Sequence, residues 1–192
     1  MLNKDLIKYL KEKHSGFIKS RRMLIKESGE ILSLSKRAIF AFHRDDFKQG
    51  DIHVKKAEDC LDNIQKRFIE KNVSLLQEGS LKAAQEEFIE AKFFSLVLTG
   101  KKLSKIKDIE INYESYIGGL CDLTGELTRK SVNLAISGDF DKVFYFKEFI
   151  EEIVGEIIQF DLTGYLRVKY DQAKNNLRKI EKICYDIKMR EQ

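Results

Sequence analysis

From Gly16 to His43 the apolar residues Phe17, Met23, Leu24, Ile31, Leu34, Ala38, Ile39 and Phe42 recur at intervals of three and four, the period of one helix face. The spacing predicts a long amphipathic helix, with Gly29 as a tolerated weak point. Met1 to His14 reads as a short preceding helix or as its extension. Asp45 and Asp46 are acidic N-cap candidates for a second helix ending near Asn72, with Gly50 leaving its first turns loosely defined. Gly79-Ser80 reads as a C-cap glycine followed by an N-cap, opening a third helix that closes at Gly100. A basic linker, Lys101 to Ile111, leads to Asn112, an N-cap with Glu114 in the first turn to suit the helix dipole. The fourth helix then runs to about Ser137. Gly138-Asp139 repeats the stop-then-cap pattern before a fifth helix to about Phe160, and Thr163 caps a last helix from Gly164 to about Met189.

Composition agrees with an all-α fold. Proline is absent, where average usage would give about ten. A chain of 192 residues fits a single domain over 1–192 with a substantial core. Phe93, Phe94, Phe144, Tyr145 and Phe146 lie outside any single stripe, and that apolar surplus predicts self-association.

Charge changes the picture only through clustering. The net charge of +4 comes from 35 Lys and Arg against 31 Asp and Glu. Basic residues concentrate from Lys19 to Arg44 and again at Lys101, Lys102, Lys105 and Lys107, runs that describe either a solvated helix face or an anionic partner's footprint. Cys60, Cys121 and Cys184 are far apart and follow no metal or disulfide spacing, which fits a cytoplasmic protein. No stretch approaches a membrane span.

Two acidic clusters interrupt otherwise apolar helical stretches. Glu87 and Glu90 stand at i,i+3 in the third helix, and Asp122 and Glu126 at i,i+4 in the fourth, so each pair shares a helix face. Desolvating a carboxylate costs several kcal/mol unless a base or a cation compensates it. An ordinary ion-pair network satisfies these residues, with Glu126 on Arg129 or Lys130 and Glu90 on bases of a neighbouring helix. A bound cation satisfies them too. No His stands three residues after a Glu, so the di-iron ligand pair is absent, and an all-oxygen set favours Mg2+, with Mn2+ as a substitute, over zinc or iron. Gly118, Gly119 and Gly125 weaken the fourth helix and point to close approach of another helix or a ligand.

At these residues the chain resembles the translin family, in its translin-associated factor X branch. The stretches are Ala84-Gln85-Glu86-Glu87-Phe88-Ile89-Glu90-Ala91 and Tyr116-Ile117-Gly118-Gly119-Leu120-Cys121-Asp122-Leu123-Thr124-Gly125-Glu126-Leu127-Thr128-Arg129. Supporting matches are Ser35-Lys36-Arg37-Ala38-Ile39-Phe40 with His43-Arg44, Val132-Asn133 with Gly138-Asp139, Lys169-Tyr170-Asp171, and Lys179-Ile180-Glu181-Lys182 running into Tyr185-Asp186 and Arg190. The resemblance covers about Lys19 to Arg190. It implies a translin-like bundle of about seven helices, assembled into a hollow homo-oligomer, commonly an octamer, that encloses single-stranded RNA, or DNA. In the factor X branch it implies a Mg2+-dependent endoribonuclease whose acidic residues match Glu87, Glu90, Asp122 and Glu126. In eukaryotes the resemblance also implies a translin-like partner subunit.

One stretch departs from the translin branch. Its arginine- and histidine-rich nucleic-acid-binding run is replaced here by Gln85-Glu86-Glu87, with only Lys92 basic. Nucleic-acid contact then falls to Arg21, Arg37, His43 and Arg44, to the linker lysines, and to Arg129, whose other role is to pair with Glu126. Two rival readings stand beside the nuclease: a non-catalytic single-stranded RNA- or DNA-binding protein of the translin type, and a helical scaffold with no nucleic-acid role.

Overall fold

The periodicity that begins at Gly16 belongs to a longer element: in the computed structural model α1 runs unbroken over Lys4–His43. Asn3 caps it by accepting a hydrogen bond from the Asp5 amide at 2.8 Å, so the first segment is the extension of the helix rather than a separate one. The structure describes residues 2–190. Met1, Glu191 and Gln192, which the expected domain and first helix include in part, lie outside the described residues.

Five helices follow: α2 (Phe47–Ile64), α3 (Gly79–Leu98), α4 (Tyr113–Ser137), α5 (Phe140–Ile157) and α6 (Gly164–Arg190). The resemblance implied about seven. Six form because the first segment merges into α1, and α2 loses α-helical geometry at a π turn, Gln65–Ile69, before a 3-10 turn, Val73–Gln77. The helical run thus ends at Ile69, close to the expected end near Asn72, whose amide donates to the Phe68 carbonyl at 3.0 Å; the Asn72 side chain caps the 3-10 turn, accepting from the Ser74 amide at 3.1 Å.

Most expected caps hold, and that of α3 differs. Asp46 accepts from the Gln49 amide and Asn112 from the Glu114 amide, while Gly100 and Gly138 adopt positive φ where α3 and α4 end. Ser80 does not cap α3. The N-cap is Glu78, whose carboxylate is taken by Arg21 of α1 at 2.6 and 3.1 Å and caps nothing. Gly50 does not loosen the first turns of α2: a β-carbon there would sit 2.1 Å from the Phe42 ring, so the glycine lets α2 close onto α1.

The helices pack in order. α1 lies against α2 and α3, α3 against α4, and α4 against α5 and α6, which also pack on each other. One apolar cluster runs through them, with Leu24, Ile31 and Phe42 of α1, Phe88 and Ile89 of α3, Leu123 and Leu127 of α4 and Ile150 of α5 fully buried. α3 is covered by α1 on one flank and α4 on the other, and buried residues accordingly occur all round it. The expected aromatic surplus is largely absorbed by this arrangement. Phe93, Phe94 and Phe146 are buried within the chain, and only Tyr145, at 44% exposure, remains substantially open. No described helix is long and apolar enough to cross a membrane.

Candidate functional site

Where α3 meets α4, side chains are removed so that backbones can approach. A β-carbon on Gly119 would lie 2.7 Å from Ile89 and 2.9 Å from the Glu86 carbonyl oxygen, and one on Gly118 would lie 2.0 Å from the Glu86 carboxylate. The close approach expected at these glycines is therefore that of α3. It brings the two acidic pairs to one seam, where their charges act on one another.

Glu90 is 7% exposed. Burial first, and then the charges of Asp122, Glu87 and Glu126, push its carboxyl up to about 9. Burial likewise raises Glu87, with Lys36 opposing and Asp122 and Glu126 adding to the rise. Neither forms a hydrogen bond or ion pair among the described residues. Asp122 and Glu126 are engaged. Asp122 Oδ2 accepts from Lys169 Nζ of α6 at 2.5 Å, and burial still raises its pKa against the pull of that lysine. Glu126 Oε2 contacts His43 Nε2 at the end of α1, and Arg129 Nη1 stands 3.6 Å away.

The sequence reading missed the basic side of this centre. Lys169 bridges Asp122 to Glu86, 2.8 Å away, and the Tyr165 hydroxyl donates to the same Glu86 Oε1 at 2.6 Å. Burial alone would lower the Lys169 pKa, but its bonds to Asp122 and Glu86 override this and hold the ammonium well above its ordinary range. Burial and the Glu86 bond push Tyr165 up to about 12. The Gly118-Gly119 pair signalled a close neighbour but not which residue it was. Cys121, between the glycines and Asp122, is buried and pushed up to about 12, so it stays a thiol at neutral pH.

The expected nucleic-acid contacts separate into two groups. Arg37, Arg44 and Arg129 are exposed, and Arg44 lies over the Phe40 ring at 4.6 Å. Arg21 is committed to Glu78. His43 is buried against Phe94, 5.0 Å between ring centroids, and belongs to the acidic centre. Lys101, Lys102, Lys105 and Lys107 are exposed on a linker pinned from beneath, where the Ile106 amide donates to the Tyr116 hydroxyl and Gln85 bonds Glu110 O and Asn112 N.

As the side chains stand, no three Asp, Glu, His or Cys among the described residues are gathered tightly enough to hold a metal ion. The donor set nevertheless fits a hard cation. It offers carboxylate oxygens alone, two of its four members have no base in contact, and the other two are held by Lys169 and His43.

Residues 19–191 match the model of the Translin family, and the chain belongs to that family. Its long matches lie in the translin-associated protein X branch. The homolog from Schizosaccharomyces pombe is 26% identical over 190 residues, covering 89% of this chain and 82% of that protein. Translin-associated protein X of Rattus norvegicus is 24% identical over 208 residues, covering 87% and 72%. Translin of Homo sapiens is 30% identical over 94 residues, 48% of this chain, so the match spans only 41% of that translin. Two solved structures share the fold: the AfC3PO–duplex RNA complex, with TM-score 0.85 at 21% identity over 95% of this chain and 96% of that one, and apo-NeC3PO, with 0.82 at 21% over 97% and 98%.

Proposed function

We propose that this chain is a Mg2+-dependent endoribonuclease that cleaves single-stranded RNA inside a hollow homo-oligomer, an octamer by family resemblance, in the cytoplasm. The observation that carries this reading is the meeting of Glu87, Glu90, Asp122 and Glu126 at the α3–α4 seam, two of them without a base. Family membership and the RNA named in the AfC3PO complex support RNA as the partner.

Glu87, Glu90, Asp122 and Glu126 would hold the ion. When bound, Mg2+ supplies Lewis acidity and charge neutralisation at the scissile phosphate. Glu90 must give up its proton for this, so metal binding and ionisation are linked. In the metal-free chain Lys169 and His43 hold Asp122 and Glu126 at the seam, and exposed Arg37, Arg44 and Arg129 supply phosphate contacts. Self-association with copies of this chain encloses the substrate, and a translin-like second subunit is an alternative partner.

The engagement of Asp122 and Glu126 by Lys169 and His43 favours one rival, a binding protein without catalysis. Labelled single-stranded and duplex RNA incubated with wild type and Glu87→Gln, with Mg2+, Mn2+ or chelator, separates the two. Glu87 has no partner to lose, so the variant should fold and bind RNA while cleavage drops at least about 100-fold. Binding by wild type with no metal-dependent cleavage would establish the rival.

A further inference from the structure

We infer that Lys169 is the resident counter-ion of the acidic centre: it holds Asp122 while no divalent cation is present, yields it when one binds, and thereby sets how tightly the centre takes a metal. This rests on the metal-centre reading proposed above.

Two anchors distinguish Lys169 from a surface lysine. Its side chain is 16% exposed and reaches from α6 to carboxylates on two other helices, Asp122 of α4 at 2.5 Å and Glu86 of α3 at 2.8 Å. The Glu86 end is the fixed one. Its carboxylate lies over the bare backbone of Gly118 and accepts from the Tyr165 hydroxyl, whose ring also stands 5.3 Å from Lys169 Nζ. An ammonium has three donors, so Lys169 keeps Glu86 when Asp122 leaves. Asp122 is half-buried and has no other base in contact among the described residues.

The electrostatic consequence has a definite sign. The charge of Lys169 acts on Glu87 and Glu90 as well as on Asp122, so it partly neutralises the site in the absence of metal. Tethered to Glu86, it stays close once a cation arrives and repels it. The same charge eases the proton release that Glu90 must make, but a dication carries two charges against that single proton, so the net effect of Lys169 is to weaken metal binding. Lys169→Gln keeps an N–H donor for the two carboxylates and removes the charge; Lys169→Arg keeps the charge.

The test is Mn2+ binding to the full chain, without RNA, followed by the electron paramagnetic resonance signal of free Mn2+, alongside thermal unfolding with and without Mn2+. Lys169→Gln should bind about tenfold more tightly than wild type, unfold at a lower temperature without metal, and recover most of that difference at saturation. Lys169→Arg should bind as wild type does. Equal or weaker binding by Lys169→Gln, with wild type binding normally, overturns this inference and leaves the metal reading intact. Absence of binding by all three overturns both. Should Lys169→Gln fail to fold, wild type labelled with 13Cε-lysine decides: the resonance missing from Lys169→Arg should shift on saturation with Mg2+, and an unmoved resonance overturns the inference.

Discussion

The carboxylate of Glu86 occupies the space where a side chain at position 118 would begin, since a β-carbon on Gly118 would stand 2.0 Å from Oε2. Lys169 and Tyr165 hold that carboxylate in place, so it cannot swing aside at no cost. Gly118→Ala should destabilise the chain by about 1–3 kcal/mol despite the better helix propensity of alanine. Combining it with Glu86→Ala should recover part of the loss, read from a double-mutant cycle in urea. Gly119→Ala should show no such recovery, because it meets the Glu86 backbone carbonyl and Ile89.

Glu90 gives metal-free stability a pH dependence. Its carboxyl is raised from 4.5 to about 9 in the folded chain, so between those values the folded state holds a proton that the unfolded state has released. Stability therefore falls as pH rises through this window, by at most about 1.4 kcal/mol per pH unit for one proton. Glu87, raised in the same direction, adds to the slope. Glu90→Gln should remove the Glu90 part, and its advantage over wild type in thermal unfolding with chelator should widen from about pH 5 to about pH 9. A constant difference across that range would contradict the burial of Glu90.

Glu126 has a structural duty as well as the proposed metal-binding one. It is the partner of His43 Nε2, and His43 Nδ1 is already buried without a hydrogen bond. Glu126→Ala should cost about 1–3 kcal/mol by stranding the imidazole, whereas Glu87→Gln, which removes a carboxyl raised by burial, should leave the denaturation midpoint at or above that of wild type. Cleavage should be abolished in both.

Lys130 closes the end of α1. It is 4% exposed, and its ammonium donates to Asp45 at 2.7 Å and to the carbonyls of His43 and Phe42 at 3.3 and 3.5 Å. Lys130→Met should cost about 1–3 kcal/mol because Asp45 and the His43 carbonyl lose the ammonium, while the Phe42 carbonyl keeps only the Asp45 amide. Asp45→Asn should cost less than about 1 kcal/mol, since asparagine tolerates the positive φ of 61° found there.

RNA affinity should separate the arginines. Replacing exposed Arg37, Arg44 or Arg129 by Ala should weaken binding and lower the slope of log K against log salt by about 0.7 for each phosphate left without its arginine. Arg21→Ala should leave that slope unchanged while lowering stability, because Glu78 is deprived of its ion-pair partner. Filter binding over a salt series reads the slope, and urea denaturation reads the stability.

Much of the local structure is legible in the sequence. The three-and-four spacing from Phe17 to Phe42 describes the core face of α1, and Asn112, Gly100 and Gly138 mark helix ends, because caps and periods act within one or two turns of the residue that encodes them. The π turn that finishes α2 is not legible. Whether the backbone widens into a π turn at Gln65–Ile69 depends on what packs against it, and Ser80 caps nothing because α3 already starts at Gly79, with Glu78 as its N-cap.

The sequence by itself determined that Glu87 pairs with Glu90 on one face and Asp122 with Glu126 on another, since i,i+3 and i,i+4 spacing is a property of the helix alone. Only the tertiary structure decided what meets them. Lys169 reaches Asp122 across 47 residues and His43 reaches Glu126 across 83, separations over which no local period operates. Those contacts arise from the order in which α1, α3, α4 and α6 stack. The stacking is set by apolar burial along whole helix faces and by the bare backbone of Gly118 and Gly119, while the carboxylates and their bases are carried into place by the helices that bear them.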